Sequence, residues 1–159
     1  FKAAAAAMER AAELFMVDGA TLTADSLEVR VADLVVLGGA FADAARRYEE
    51  LGQRALNSEL KSCGGRDTQD LWLRAGLCWL ADGSLSELDQ AMERCEEADL
   101  TFAGSQSAAR VKSIQEALVA ADKDRFGQEV RELGDTLQGD KVGVKLLSKI
   151  KEVVGREGE

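Results

Sequence analysis

Three cysteines, Cys63, Cys78 and Cys95, are the side chains with the clearest chemical potential in this sequence, which contains no histidine. Their spacing includes no CxxC pair, and without histidine neither a Cys/His zinc site nor a Cys/His or Ser/His/Asp nucleophile can be assembled. The odd cysteine count predicts reduced thiols in the cytosol. Cys78 and Cys95 fit the buried faces of helices. The alternative is an enzyme or a redox protein that uses Cys78 or Cys95, for example through a thiolate that lysine activates.

Carboxylates are abundant, and pairs such as Glu49-Glu50 could in principle act as the acid and base of a glycosidase. They lie on the polar faces of predicted helices, where solvated charge is the ordinary outcome. The acid pattern of an EF-hand is missing, and so are the phosphate-binding patterns GxGxxG and GxxxxGK. We therefore predict no catalysis, no metal and no cofactor, and we interpret Gly64-Gly65 as a helix break.

Trp72 and Trp79 are seven residues apart and therefore share one face of a predicted helix, two turns apart. Core packing between helices is the simpler interpretation of this pair. The alternative is that both rings line an open groove. That arrangement would favour a generic tetratricopeptide-like module that binds a peptide or another scaffold protein.

The charge balance restricts the partners of the protein. With 29 acidic and 20 basic residues, the formal net charge is −9, and such a field repels the phosphates of nucleic acids. Cationic protein surfaces are the natural partners of this chain. No stretch approaches the roughly 18–20 consecutive apolar residues that are needed to span a bilayer.

The elements that position these residues are predicted to be helices throughout. Proline is absent, and apolar residues recur at spacings of three and four, as on one face of an α-helix. Phe15 is expected on the buried face of the first helix, and Gly52 is interpreted as the end of the third. The pattern Ser84-Leu85-Ser86-Glu87 predicts a capping box at the start of the fifth. The predicted helices cover residues 2–17, 25–37, 41–51, 68–81, 85–95, 105–121, 124–133 and 140–154.

Helices of this length with short connections pack as antiparallel neighbours. We therefore expect an all-α fold, a tetratricopeptide-like stack of antiparallel helix pairs over residues 1–100 that ends in a C-terminal helical bundle over residues 101–159. The two parts would form one continuous right-handed solenoid. Because the sequence opens at Phe1 within a helical pattern, we expect it to be the C-terminal part of a longer chain.

Several motifs occur in the order and near the spacing that one known family shows. The motifs are residues 7–13, 41–52, 70–78, 115–118, 124–126 and 145–151. Over about residues 7–154 the chain resembles the C-terminal half of the soluble NSF attachment proteins, the alpha-SNAP family.

The resemblance implies a non-enzymatic adaptor in vesicle-mediated transport and membrane fusion. Members of this family lay a twisted sheet of helix pairs along an assembled SNARE bundle and recruit the hexameric ATPase NSF, which then pulls the SNAREs apart. For this chain the resemblance implies a cytoplasmic location, with peripheral membrane association through a more N-terminal part. The charge balance implies no nucleic-acid partner, and the missing binding motifs imply no cofactor.

Site residues follow from the resemblance position by position. Arg30 matches a basic position that meets the acidic SNARE surface. Glu116 matches an acidic position that meets the basic N-domain of NSF, and Glu157 and Glu159 fall in the acidic tail region of the family. The sequence departs from the family where two acids that follow Glu116 are replaced by apolar residues. These replacements are Val119 and Ala120.

Overall fold

The computed structural model describes the backbone of residues 1–157 and the side chains of residues 1–153. The chain is 81% helical, and its helices pack in pairs. The all-α, tetratricopeptide-like class that the sequence predicts is therefore confirmed. In chain order the helices are α1 (Lys2–Val17), α2 (Thr21–Leu37), α3 (Phe41–Asn57), α4 (Thr68–Asp82), α5 (Leu85–Ala98), α6 (Leu100–Ala103), α7 (Gln106–Val119), α8 (Lys123–Thr136) and α9 (Lys141–Glu157).

The chain divides into two compact units, and the division falls inside α4. The first unit, Phe1–Ala75, contains α1, α2, α3, a short hairpin and the first part of α4; the second begins at Gly76. The predicted border near residue 100 separates helical repeats from a terminal bundle and stays a prediction.

In the first unit, α2 packs between α1 and α3. Small residues carry the contact of α1, which buries Ala5 and Ala12, two alanines seven positions apart on one face. Phe15 is 41% exposed, so its predicted burial is wrong, because α1 approaches α2 along the alanine stripe instead. α3 buries an alternation of small and large side chains. They are Phe41, Ala44, Ala45, Tyr48, Leu51, Gly52 and Ala55.

A two-residue hairpin separates α3 from α4. Its strands, β1 (Ser62–Cys63) and β2 (Arg66–Asp67), pair in antiparallel register around Gly64 and Gly65. Both glycines have positive φ, +58° and +83°, as a tight two-residue turn requires. Gly64 also presses on α2, since a Cβ there would lie 2.5 Å from Cγ2 of Val29. The Gly-Gly pair is thus a hairpin turn, a feature that the interpretation as a helix break missed.

In the second unit, α5 packs against α6, α7 against α8 and α8 against α9. Apolar side chains at helical spacing fill its interior, as the sequence predicts for α5, α8 and α9. The buried residues of these three helices include Leu88, Ala91, Met92, Cys95, Phe126, Val130, Leu133, Val142, Leu146, Leu147 and Ile150. Side chains also cap the starts of α7 and α8, where Ser105 and Asp122 accept backbone N–H bonds at 3.1 Å.

Three local expectations are wrong. α2 begins at Thr21 rather than near residue 25, because Gly19 at φ +79° reverses the chain immediately after α1. The Ser84 hydroxyl donates to the carboxylate of Asp82 and makes no capping bond, although α5 does begin at the next residue. Gly52 does not end α3, which continues to Asn57; this glycine makes room for the ring of Trp72.

The predicted cap of α4 is confirmed, since Asp67 accepts from the backbone N–H of Asp70 at 2.8 Å.

Candidate protein-interaction surfaces

Arg30 lies on the outer face of α2, between the buried side chains of Val29 and Val31. Its own side chain is exposed, and it takes part in none of the ion pairs or hydrogen bonds between described residues. A guanidinium in this setting keeps its donors and its charge available for an acidic partner. The structure therefore presents the predicted basic residue at the surface.

Arg47 and Arg54 have a different role in the same unit. Arg47 joins α3 to α1 through Glu9 at 3.0 Å, and Arg54 joins α3 to α2 through Glu28 and through Asp25 at 3.3 Å. Burial disfavours both charged guanidinium groups, but the neighbouring carboxylates outweigh it and raise the pKa of Arg47 and Arg54. These two arginines are therefore neutralised within the unit and connect its helices.

Glu116 lies on α7 with a side chain that is 65% exposed. It carries an internal partner, because Nη2 of Arg125, on α8, donates to Oε2 of Glu116 at 2.9 Å. The same nitrogen donates to Oγ of Ser113 at 2.9 Å, and that hydroxyl donates to Oε1 of Glu129 at 3.1 Å. The predicted acidic residue is thus exposed, and it is presented as an ion pair that ties α7 to α8.

An open groove of about 590 Å³ lies between α5 and α7, and Glu116 is part of its wall. We call it the α5–α7 groove. Met92, which is 5% exposed, contributes to it from α5, while Val119, which is 73% exposed, contributes from α7. The groove therefore combines apolar surface with charge. It is lined by Asp89, Met92, Glu93, Glu96, Lys112, Gln115, Glu116, Val119 and Ala120.

The charge of the groove is negative, because its lining includes four carboxylates and one lysine. Lys112 is paired with Glu96, and Nε2 of Gln115 donates to Oδ1 of Asp89 at 2.6 Å. Glu93 is exposed and makes no ion pair with another described residue. From the sequence alone, acids on the polar faces of helices such as α5 are expected to be ordinary solvated charge. Their spacing of four and then three residues, which places Asp89, Glu93 and Glu96 on one helix face, was the available signal.

The two predicted tail residues lie outside what the structure describes in full. Glu157 is the last residue of α9. Only its backbone is described, and its side chain lies outside the described part. Glu159 lies outside the described residues altogether. Their assignment to an acidic partner-binding tail stays a prediction.

The residues that motivated alternative functions are buried. Trp72 and Trp79 are each 1% exposed, which confirms core packing and removes the open aromatic groove that would favour a generic peptide-binding module.

Cys78 and Cys95 are also buried, at 0% and 2% exposure. Burial raises the pKa of Cys63 to about 11, and the charge of Asp25 adds to the effect. A thiol in this setting is a poor nucleophile at neutral pH.

The described residues offer neither a metal site nor a membrane-spanning helix. Among them, no group of three or more cysteine, aspartate or glutamate side chains is arranged to hold a metal ion. Within the same part of the chain, no helix combines the length and the apolar character that crossing a membrane requires.

Paired helices with buried small residues define an all-α, tetratricopeptide-like helical protein. The family model described as "Soluble NSF attachment protein, SNAP" matches residues 1–155. The chain belongs to this family.

Curated relatives agree with the family match. A probable vesicular-fusion protein sec17 homolog from Schizosaccharomyces pombe is 29% identical over 94% of this chain and 51% of its own length. Alpha-soluble NSF attachment proteins from Vitis vinifera and Saccharomyces cerevisiae are 27% and 24% identical, over 97% and 94% of this chain and 52% and 50% of their own lengths. The chain thus spans about half the length of the curated relatives that it matches.

Proposed function

We propose that this chain is a non-enzymatic adaptor that binds an assembled SNARE bundle and recruits the ATPase NSF, which then disassembles the bundle. The observation that carries the proposal is the family match over residues 1–155. The acidic α5–α7 groove and the exposed guanidinium of Arg30 support it, because each suits a partner of opposite charge.

The ATPase contact is assigned to Glu116, Glu157 and Glu159. Glu116 is exposed and lies in a groove whose other ionisable side chains are mainly acidic, so the local field attracts a basic domain. Contacts between exposed charges are screened by salt. We therefore expect the affinity for the NSF N-domain to fall steeply as the ionic strength rises.

The SNARE contact is assigned to Arg30, which meets an acidic surface of the SNARE bundle. Arg47 and Arg54 are unsuitable for this contact because carboxylates of the same unit already pair with them. We place the protein in the cytoplasm, where it would associate with membranes peripherally through its SNARE partners.

A pull-down with purified SNARE complex and NSF tests the proposal. We expect the chain to retain both partners, and we expect Glu116→Lys to reduce recruitment of the NSF N-domain by about fivefold or more, because it turns an attraction into a repulsion. Glu97→Lys is the matched control, since Glu97 is exposed on α5 and does not line the groove. Circular dichroism should show unchanged helicity for both variants. Failure of the unmodified chain to retain NSF would overturn the assignment.

A further inference from the structure

Each wall of the α5–α7 groove combines an apolar side chain with a carboxylate. Val119, whose side chain stands in solvent, offers apolar surface, and the nearly buried Met92 also lines the groove. Glu93 faces this surface from α5, and Glu116 faces it from α7. A groove that combines aliphatic surface with carboxylates on both walls complements a lysine or arginine side chain, which has an aliphatic stem and a cationic head.

The carboxylates of the groove are not equally available to such a ligand. Lys112 neutralises Glu96, and Gln115 holds Asp89. Glu93 has no ion-pair partner among the described residues, and it is therefore the carboxylate that a partner can engage directly. This residue lies on α5, away from the positions to which the family resemblance assigns partner contacts.

Glu116 already holds a cation that belongs to the chain itself. Arg125 donates to Glu116 and to Ser113 with one guanidinium nitrogen, at 2.9 Å in both cases. The side chains of Arg125 and Glu116 are 45% and 65% exposed. Surface pairs of this kind contribute little net stability, so an incoming cation can take the place of Arg125.

We propose that the α5–α7 groove binds a basic segment of a partner protein, one that presents a lysine or arginine beside an apolar side chain. The cation pairs with Glu93 and with Glu116, where it displaces Arg125, and the apolar neighbour packs on Met92 and Val119. Arg125 is then an internal competitor that lowers the affinity for the partner. The identification of the partner as the NSF N-domain rests on the proposed function. The preference of the groove for a lysine or arginine beside an apolar side chain rests only on the residues that line it.

Binding to two probes tests the groove: the purified NSF N-domain, and a short helical peptide that carries lysine beside leucine on one face and is otherwise neutral. We expect Glu93→Gln to weaken the binding of both probes by about three- to fivefold, as loss of an exposed ion pair predicts. Glu97→Gln, on the same helix but outside the groove, should leave both affinities unchanged.

The role of Arg125 as an internal competitor is tested with a separate variant and a matched control. Arg125→Ala should tighten the binding of both probes by about two- to threefold, because Glu116 no longer has to be released. Arg131→Ala removes the same charge from an exposed position on α8 and should have a smaller effect. Fluorescence anisotropy measures all of these affinities.

The two probes separate the two proposals. If the peptide binds with the expected dependence on Glu93 and the N-domain does not bind, the groove assignment stands and the proposed function fails. If the N-domain binds but Glu93→Gln matches Glu97→Gln, the groove assignment is overturned and the adaptor function is kept. Binding of neither probe overturns both.

Discussion

Gly52 and Trp72 are in direct contact: a Cβ built on Gly52 would lie 2.7 Å from Cε3 of the Trp72 ring. Both residues are buried, and the ring is one of the largest fully buried side chains described in the chain. The glycine in the middle of α3 therefore allows a helix-to-ring approach that no other residue type permits.

Gly52→Ala should destabilise the protein although alanine is the better helix former. The gain in helix propensity is about 1 kcal/mol, whereas forcing a methyl group into a packed contact costs about 1–3 kcal/mol. We expect a net loss of up to roughly 2 kcal/mol, measured by urea denaturation followed by circular dichroism. Gly127→Ala is the control, because the nearest atom to its added Cβ is Nη1 of the flexible Arg131 at 3.7 Å. Gly127→Ala should be neutral or slightly stabilising, and equal stabilities of the two variants would contradict the packing argument.

The Tyr48 hydroxyl donates to the carboxylate of Asp33, which also accepts from Nη2 of Arg66 at 2.9 Å. Tyr48 is fully buried, and the pair joins α3 to α2. We expect Tyr48→Phe to lower the free energy of unfolding by about 1.5–3 kcal/mol, the range for hydrogen bonds to charged groups. Chemical denaturation checks this value. A loss below roughly 0.5 kcal/mol would mean that the bond contributes little net stability.

Cys63 should make the stability of the protein sensitive to alkaline pH. Burial and the charge of Asp25 raise the pKa of the Cys63 thiol from about 9 to about 11, so the folded state favours the neutral thiol. This contribution is fully present below the unfolded pKa and is lost as the pH rises through the folded pKa. Between about pH 9 and 11, the wild type should therefore lose more stability than Cys63→Ala. The other titrating groups are common to both proteins, so parallel curves for the two would exclude the effect.

Arg30→Glu should reduce retention of the SNARE complex by about threefold or more. The substitution replaces an exposed cation with a carboxylate, which the acidic surface of the SNARE complex repels. Arg10→Glu makes the same charge change at an exposed position on α1 and serves as the control. A pull-down at low and at moderate salt checks the result, since the difference between the two variants should shrink as salt increases. Equal retention of the two variants would remove the assignment of Arg30.

Local patterns were sufficient for much of this molecule. Apolar periodicity predicted the extent of α1 correctly and identified the buried stripes of α5 and α8, because the side chains of one helix face repeat every three to four residues. The spacing of Trp72 and Trp79 predicted their burial, and the order of motifs predicted the family. These features depend on residues that are close together in the sequence.

Contacts between distant parts of the chain decided the remainder. The sequence by itself determined helical class, family and the absence of a histidine-based site, since each follows from residue types and short spacings. Only the tertiary structure decided that Gly52 continues a helix beneath Trp72, that Gly64 turns a hairpin against α2, and that Arg125 pairs with Glu116. The physical reason is that glycine and charged side chains tolerate many local settings, so their roles are set by whatever the fold brings against them.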